Sequence, residues 1–295
     1  MFRTVIVGVD EHQGGRDATA LAKDLVSSDG SLSLARVYIR HPLTGRATND
    51  DGDALERPST LDASPDEARP DRPLRRIDAS SVGRGLHELA EAEEADLLVV
   101  GSARRGLIGR VLLGDDASHA LNGAPCAVAI APYGYAERPA VLGEIGVAYN
   151  GSPESEQALT LARALAAEHG ARLSAFEAVS VPAYLAVPGA GAVVESLPGL
   201  VEQAIARIQA LGGVEPHAAY GGAAEELALY GASLDLLVIG SRGYGPVGRL
   251  VHGSTSRQLA RAARCPVLVL TRSARTIRQP DSERAHPGVV AAAVG

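Results

Sequence analysis

One pattern occurs twice in this chain, and the repetition limits its folds more than any other feature. "DLLVVGSARRG" at 96–106 returns as "DLLVIGSRGYG" at 235–245, an offset of 139 residues. Gly114 recurs as Gly253 and Cys126 as Cys265 at that offset, and Ala18, Leu21, Ala22 and Leu25 recur as Ala158, Leu161, Ala162 and Leu165 at an offset of 140. Two similar domains in tandem follow, expected over 1–135 and 141–275, with the join in "YGYAERPAV" and a loose, aperiodic tail over 276–295. At 295 residues and 46% hydrophobic, the chain is long enough to give each domain its own core. Cysteines at equivalent positions of two copies of one strand read as small buried residues, not as a disulfide.

Within each copy, short apolar runs alternate with amphipathic segments. In the second copy "IGVAY" precedes a helix with apolar positions 158, 161, 162 and 165, then "RLSAFEAVSV". A helix through Val201, Ile205 and Ile208 stops at Gly212-Gly213, and "VEPHAAY", a further helix, "LDLLVIG", a last helix and "CPVLVLT" complete the unit. Runs this rich in Val, Leu and Ile suit parallel strands covered on both faces. The expected class is α/β, two tandem doubly wound five-stranded parallel-sheet (Rossmann-like) domains. Ligands of such sheets bind beyond the carboxyl ends of the strands. "CAVAIA" and "CPVLVLT" are edge strands able to pair between the domains or between two chains of a homodimer. Residues 42–73 interrupt the first copy; from 50 to 72 they hold eight acidic residues against three arginines, with several prolines. That composition suits a mobile loop, and its sharper reading is a docking loop for a protein partner.

The net charge of −7 argues against a nucleic-acid surface. No apolar run approaches the roughly 18 residues of a membrane span, and "MFRTVIVGVDEH" reaches Asp10 too early for a signal peptide, so a cytoplasmic protein without a membrane role is expected. Two cysteines and eight scattered histidines show no metal-ligand spacing.

The glycine-rich stretch "GSRGYGPVGRLVHGSTS" after the fourth strand of the second copy carries the chemistry. "GYGPVG" matches G-x-G-x-x-G, but that fingerprint belongs to the first strand-helix turn and needs an acidic residue some 20 positions on, which "RCPVLVLTR" does not supply. "GRLVHGST" resembles a P-loop with Ser254 where lysine is needed to reach the β- and γ-phosphates, and the chain's one lysine is Lys23. A third spacing remains, Gly240-x2-Gly243-x9-Gly253-Ser254. After a fourth strand it resembles the nucleotide loop of the universal stress protein family in its tandem-domain form. "VGVDEHQGGRDATALA" and "VAYNGSPESEQALTLA" are similar to the family's first strand end and first helix, so the resemblance covers nearly the whole chain.

The resemblance implies ATP, with Mg²⁺ as its companion ion, in a site made by Ala148, Tyr149, Asn150, Ala178, Ile239, Gly240, Arg242, Gly243, Gly253, Ser254 and Thr255. Physical chemistry agrees. Gly240 leaves its strand where a side chain would crowd a ribose or phosphate, and Gly243 permits a turn with positive φ. Gly253, Ser254 and Thr255 precede a helix whose free N–H groups favour an anion. Small residues at 148 and 178 leave room for a flat base. The competing reading is that these glycines only turn the chain and Gly253-Ser254 only caps a helix. First-domain equivalents are Asp10, Val37, Gly101 and Gly114, in a degenerate site: Arg104 replaces the middle glycine and Asp115 the serine, with Asp116 beside it. A carboxylate there caps the helix and repels phosphate. Conversely, Asp10 stands where the family carries an acid toward the nucleoside, and the second copy has Asn150.

The expected function is therefore an ATP-binding regulatory or stress-response protein, with nucleotide held chiefly in the second domain and turned over slowly or not at all. No G-x-S-x-G elbow or paired carboxylates near the loop activate water. Two other classes remain open: an adenylyl- or phosphoryl-transfer enzyme on a related fold, and a nucleotide-free scaffold that docks a partner.

Overall fold

Aliphatic runs buried on both faces become the strands, and the polar-apolar segments between them become the covering helices. The computed structural model describes residues 2–10, 12–40, 47–48, 73–102, 120–121, 123–137, 141–180, 191–241 and 263–271, with backbone alone at 40, 47–48 and 191–197. The first half runs β1 (Phe2–Gly8), α1 (Gln13–Leu25), β2 (Val26–Arg40), β3 (Ala47–Thr48), β4 (Leu74–Ala79), α2 (Val82–Ala92), β5 (Leu97–Gly101) and β6 (Ala127–Ala131). The second runs β7 (Glu144–Ala148), α3 (Pro153–His169), β8 (Arg172–Val179), α4 (Gly191–Gln209), β9 (Glu215–Tyr220), α5 (Ala223–Tyr230), β10 (Leu236–Gly240) and β11 (Val267–Leu270).

Both halves have one topology. Parallel pairing gives the order β4-β2-β1-β5-β6 in the first and β9-β8-β7-β10-β11 in the second. The two last strands then pair antiparallel, with Val267 opposite Ile130, Leu268 opposite Ala129 and Val269 opposite Val128. The halves thereby share one 11-stranded sheet, and the two edge strands are used within the chain. Beyond the two residues of β3, which pair with Ile39 and Arg40, the acidic insertion over 49–72 lies outside the described residues, as does the tail over 276–295.

Two cores lie on opposite faces of this sheet, as alternation along a strand requires. Val5, Val7, Leu21, Leu97, Val147, Leu165, Val238 and Leu268 pack on one face with α1 and α3. Ile6, Leu86, Leu98, Ile130, Leu237, Ile239 and Val267 pack on the other with α2 and α5. Cys126 and Cys265 are free, buried members of the second core. Burial pushes each thiol up to about 12.

The repeated aspartate of "DLLV" has a local role. Asp96 Oδ2 accepts the N–H groups of Arg3 and Thr4 at 3.0 and 3.1 Å, and Asp235 Oδ2 accepts those of Gly143 and Glu144, both at 2.9 Å. Each carboxylate thus fixes the start of its neighbouring central strand, which brings the carboxyl ends of the two strands level.

Candidate functional site

In each half the chain winds outward from the first strand to one side of the sheet, then crosses to the other. The crossing falls between β1 and β5 in the first half and between β7 and β10 in the second. A doubly wound sheet opens its ligand crevice at that switch point. In the second half the crevice is flanked by Ala148, which ends β7, with Asn150 two residues beyond it, and by Gly240, which ends β10, with Ser241 next to it. Ala148, Ala178 and Ile239 come together on the face covered by α5, the two alanines half-buried and the isoleucine buried. Tyr149 points to the other face, buried against the α3 core, and its hydroxyl donates to Glu156. Desolvation and the Glu156 carboxylate push this phenol up to about 12. Arg242, Gly243, Gly253, Ser254 and Thr255 lie outside the described residues, as do Arg104, Gly114, Asp115 and Asp116.

The reason for glycine at the end of β10 differs from the expected one. A Cβ on Gly240 would lie 2.3 Å from the Glu154 carbonyl oxygen and 2.6 Å from its carbon. At Gly101 it would lie 2.2 Å from the oxygen of Gly14. In both halves this glycine lets the first turn of the first helix sit on the strand end. Crowding of a ribose is not what the position first avoids; crowding of the helix is.

Asp10 and Asn150 both close Asx turns, by different routes. Asp10 Oδ1 accepts from the His12 N–H at 3.1 Å and the Gly15 N–H at 2.9 Å. It takes over the capping of α1, whose N-cap residue His12 makes no side-chain capping bond. Asn150 Oδ1 accepts from the Ser152 N–H at 3.1 Å. The cap of α3 is Ser152 itself, accepting from the Ser155 N–H at 3.3 Å, with Pro153 in the first turn and Gly170 at φ 64° ending the helix. Asn150 is exposed and freed of the capping duty that Asp10 carries.

The two crevices differ in how they are filled. In the first half α2 packs onto the strand ends: a Cβ on Gly85 would be 2.9 Å from Val37 Cγ1, and one on Gly8 would be 3.2 Å from Leu86 Cδ1. The second half has Ala178 where Val37 stands, Ala148 where Gly8 stands and Phe176 where Ala35 stands, with the Phe176 ring stacked on Tyr230 of α5 at a centroid distance of 4.9 Å. Here Glu226 turns back on the chain, so that a Cβ on Gly221 would meet its Oε1 at 2.3 Å. Beneath this crevice, on the α3 face, the Arg207 guanidinium lies 3.2 Å from Glu177 Oε2. Burial raises the Glu177 carboxyl and the arginine opposes that rise. The sequence reading missed this pair, although a lone acid inside "LSAFEAV" was its visible signal.

Further contacts lie beside the α1 and α3 helices. In the first half the chain after β6 folds back onto α1, where fully buried Asp17 accepts the Gly134 and Ala136 N–H groups, both at 2.8 Å, and Gln13 Nε2 at 3.0 Å. The Tyr135 hydroxyl donates to Asp24 at 2.8 Å. Beside α3 a cleft is lined by Pro153, Glu154, Gln157, Ser241, Leu270 and Thr271, and the chain that follows Thr271 lies outside the described residues. Among the described residues there is no group of three or more His, Cys, Asp or Glu placed to hold a metal ion. No helix among them is long and apolar enough to cross a membrane.

Comparison with known proteins gives one consistent match. The model of the Universal stress protein family matches residues 1–132 and 143–271. A universal stress protein of Thermus aquaticus is 38% identical over 130 residues, covering 42% of this chain and 95% of that protein. One of Mycobacterium bovis is 28% identical over 291 residues, covering 90% of this chain and 99% of its own length. Among solved structures, a putative universal stress protein from Pseudomonas aeruginosa superposes with a TM-score of 0.66 at 18% identity, over 92% of this chain and 93% of that one.

Proposed function

The chain belongs to the universal stress protein family, and from that premise we propose that it is a regulatory protein whose second domain holds one ATP. The observation that supports this reading is the switch point of the second half, where Ala148 and Gly240 end the neighbouring parallel strands β7 and β10 and Ala178 stands at the position that Val37 holds in the first half. In the proposed pose the base lies over Ala148 and Ala178 and the ribose at Asn150. The phosphates go to the loop that leaves Gly240, with Arg242, Gly243, Gly253, Ser254 and Thr255 as their holders. Those assignments suit the chemistry of the residues: backbone N–H groups and hydroxyls at a helix start receive phosphate without a lysine. Slow or no turnover of the bound nucleotide is part of the proposal. A stress-response role in the cytoplasm is part of the same proposal.

The test is Ser254→Asp, which copies the first domain's Asp115. Aspartate still accepts the N–H bonds of a helix start, but a carboxylate about 4 Å from a phosphate charge repels it by roughly 4 kcal/mol at an effective dielectric of 20. Without nucleotide the variant should melt close to wild type, and added ATP should not raise its Tm. Stabilisation equal to that of wild type would place the nucleotide elsewhere.

A further inference from the structure

Glu177 is an acid set into the seat of a helix. Alternation along β8 puts it on the same face as Ala175, beneath α4, with only 12% of its side chain exposed. Its Oε2 is buried and receives no hydrogen bond. Arg207 Nε of α4 stands 3.2 Å from that oxygen without aiming an N–H at it, and the arginine side chain is itself half-exposed. The other neighbouring elements add no donor. Tyr149, beside Glu177 on β7, gives its hydroxyl to Glu156 of α3 and is held neutral by a phenol pushed up to about 12. On β9 the residue opposite is Ala218. A carboxylate has lone pairs for about four donors, so its ionised form is poorly served here, and the neutral carboxyl costs less to bury. Burial accordingly raises the Glu177 carboxyl above 4.5, against the opposing charge of Arg207.

The helix over this acid is bounded by two breaks. Pro198 interrupts the hydrogen bonding of α4, and Gly199 follows it with open space where a Cβ would stand. Beyond the helix Gly212 and Gly213 both have φ 65°. Between these breaks the segment 200–209 is seated through the buried side chains of Ala204 and Ile208. Lifting that segment gives Glu177 water, which favours the ionised form, and seating it favours the protonated one.

We propose that Glu177 makes the seating of α4 proton-dependent, so that segment 200–209 closes more firmly on β8 and β9 as the solution is acidified and opens more often as Glu177 ionises. By linkage, a carboxyl that holds its proton more tightly when covered stabilises the covered state as pH falls through the window just above 4.5. Arg207 works in the other direction, since its charge supports the ionised acid under the closed helix. The device belongs to one helix of the second half and does not depend on where a nucleotide binds.

Amide hydrogen exchange of the full chain tests it, with opening equilibria for 200–209 measured at pH 4.5 and pH 7 and corrected for the intrinsic pH dependence of exchange. In wild type these amides should open at least about threefold more often at pH 7 than at pH 4.5. Glu177→Gln, neutral at both, should remove that difference and hold the amides at the wild-type pH 4.5 level throughout. Arg207→Ala should widen the difference, because the covered carboxylate loses its counter-ion. Amides of α3 are the reference and should change by less than about twofold. Equal opening of 200–209 at the two pH values in wild type overturns the proposal, as does a pH dependence that Glu177→Gln leaves intact or that α3 shares in full.

Discussion

Asp17 offers the most quantitative test of how the two halves are joined. It is fully buried and accepts three hydrogen bonds, two of them from main-chain N–H groups in the segment that links β6 to β7. Asp17→Ala removes the acceptor for both N–H groups where no water reaches the old carboxylate position. Each buried donor left without a partner costs about 1–3 kcal/mol, partly offset because the buried charge is also removed. The expected loss is about 3 kcal/mol. With a urea m-value of about 2 kcal/mol/M, the first unfolding midpoint should fall by roughly 1.5 M. Gln157 is the counterpart of Asp17 and is exposed in the lining of the cleft beside α3. Gln157→Ala should therefore stay within about 0.5 kcal/mol of wild type. If Asp17→Ala also stays within that margin, the linking segment is not held by this carboxylate.

Three further outcomes follow from named contacts. Gly240→Ala and Gly101→Ala each drive a methyl into helix backbone at 2.3 and 2.2 Å, so each should destabilise by about 2 kcal/mol or more. Gly199→Ala, with nothing within 4 Å of its new Cβ, should be neutral or stabilise α4 by up to about 1 kcal/mol in the same denaturation series. Both thiols, raised to about 12 by burial, should resist a disulfide reagent at pH 8 in the folded protein and react once urea unfolds it; rapid labelling of the native state would contradict their burial. Desolvation raises Asp24 above 3.8, against the lowering effects of Tyr135, His169 and Lys23. Its folded state therefore keeps a proton that the unfolded chain has lost, and stability falls as pH rises through the window just above 3.8. Asp24→Asn, which still accepts from Tyr135, should gain on wild type across that window, and an unchanged difference in midpoint from pH 3.5 to 6 would count against this.

Much of the architecture is legible in the sequence because a repeat supplies its own control. Apolar runs that recur at one offset become β5 and β10, and the recurring Ala-Leu pattern becomes the buried stripes of α1 and α3. What a repeat cannot show is which neighbour makes a residue necessary. Gly240 and Gly101 read as room for a ligand, but the structure presses Glu154 and Gly14 against them, a contact between segments more than 80 positions apart in chain order. Asp96 and Asp235 look like strand-start polar residues until the N–H pairs of β1 and β7 are seen on them. The candidate site was legible to the extent that its small residues, Ala148 and Ala178, sit on strand ends whose order periodicity already suggested. The Tyr149 orientation and the Glu177 and Arg207 pair were not, because side-chain facing depends on register, and one residue of shift reverses it. The antiparallel joining of β6 to β11 is one of the two pairings that "CAVAIA" and "CPVLVLT" offer as edge strands, between the domains and not between two chains, and no local pattern chooses between the two.

Calorimetric titration of the full chain with ATP tests the central claim most directly. If the second domain alone holds the nucleotide, ATP should bind with a stoichiometry of about one per chain, and Ser254→Asp should abolish the heat. Two equivalent sites per chain, or one site that Ser254→Asp leaves intact, would contradict the account.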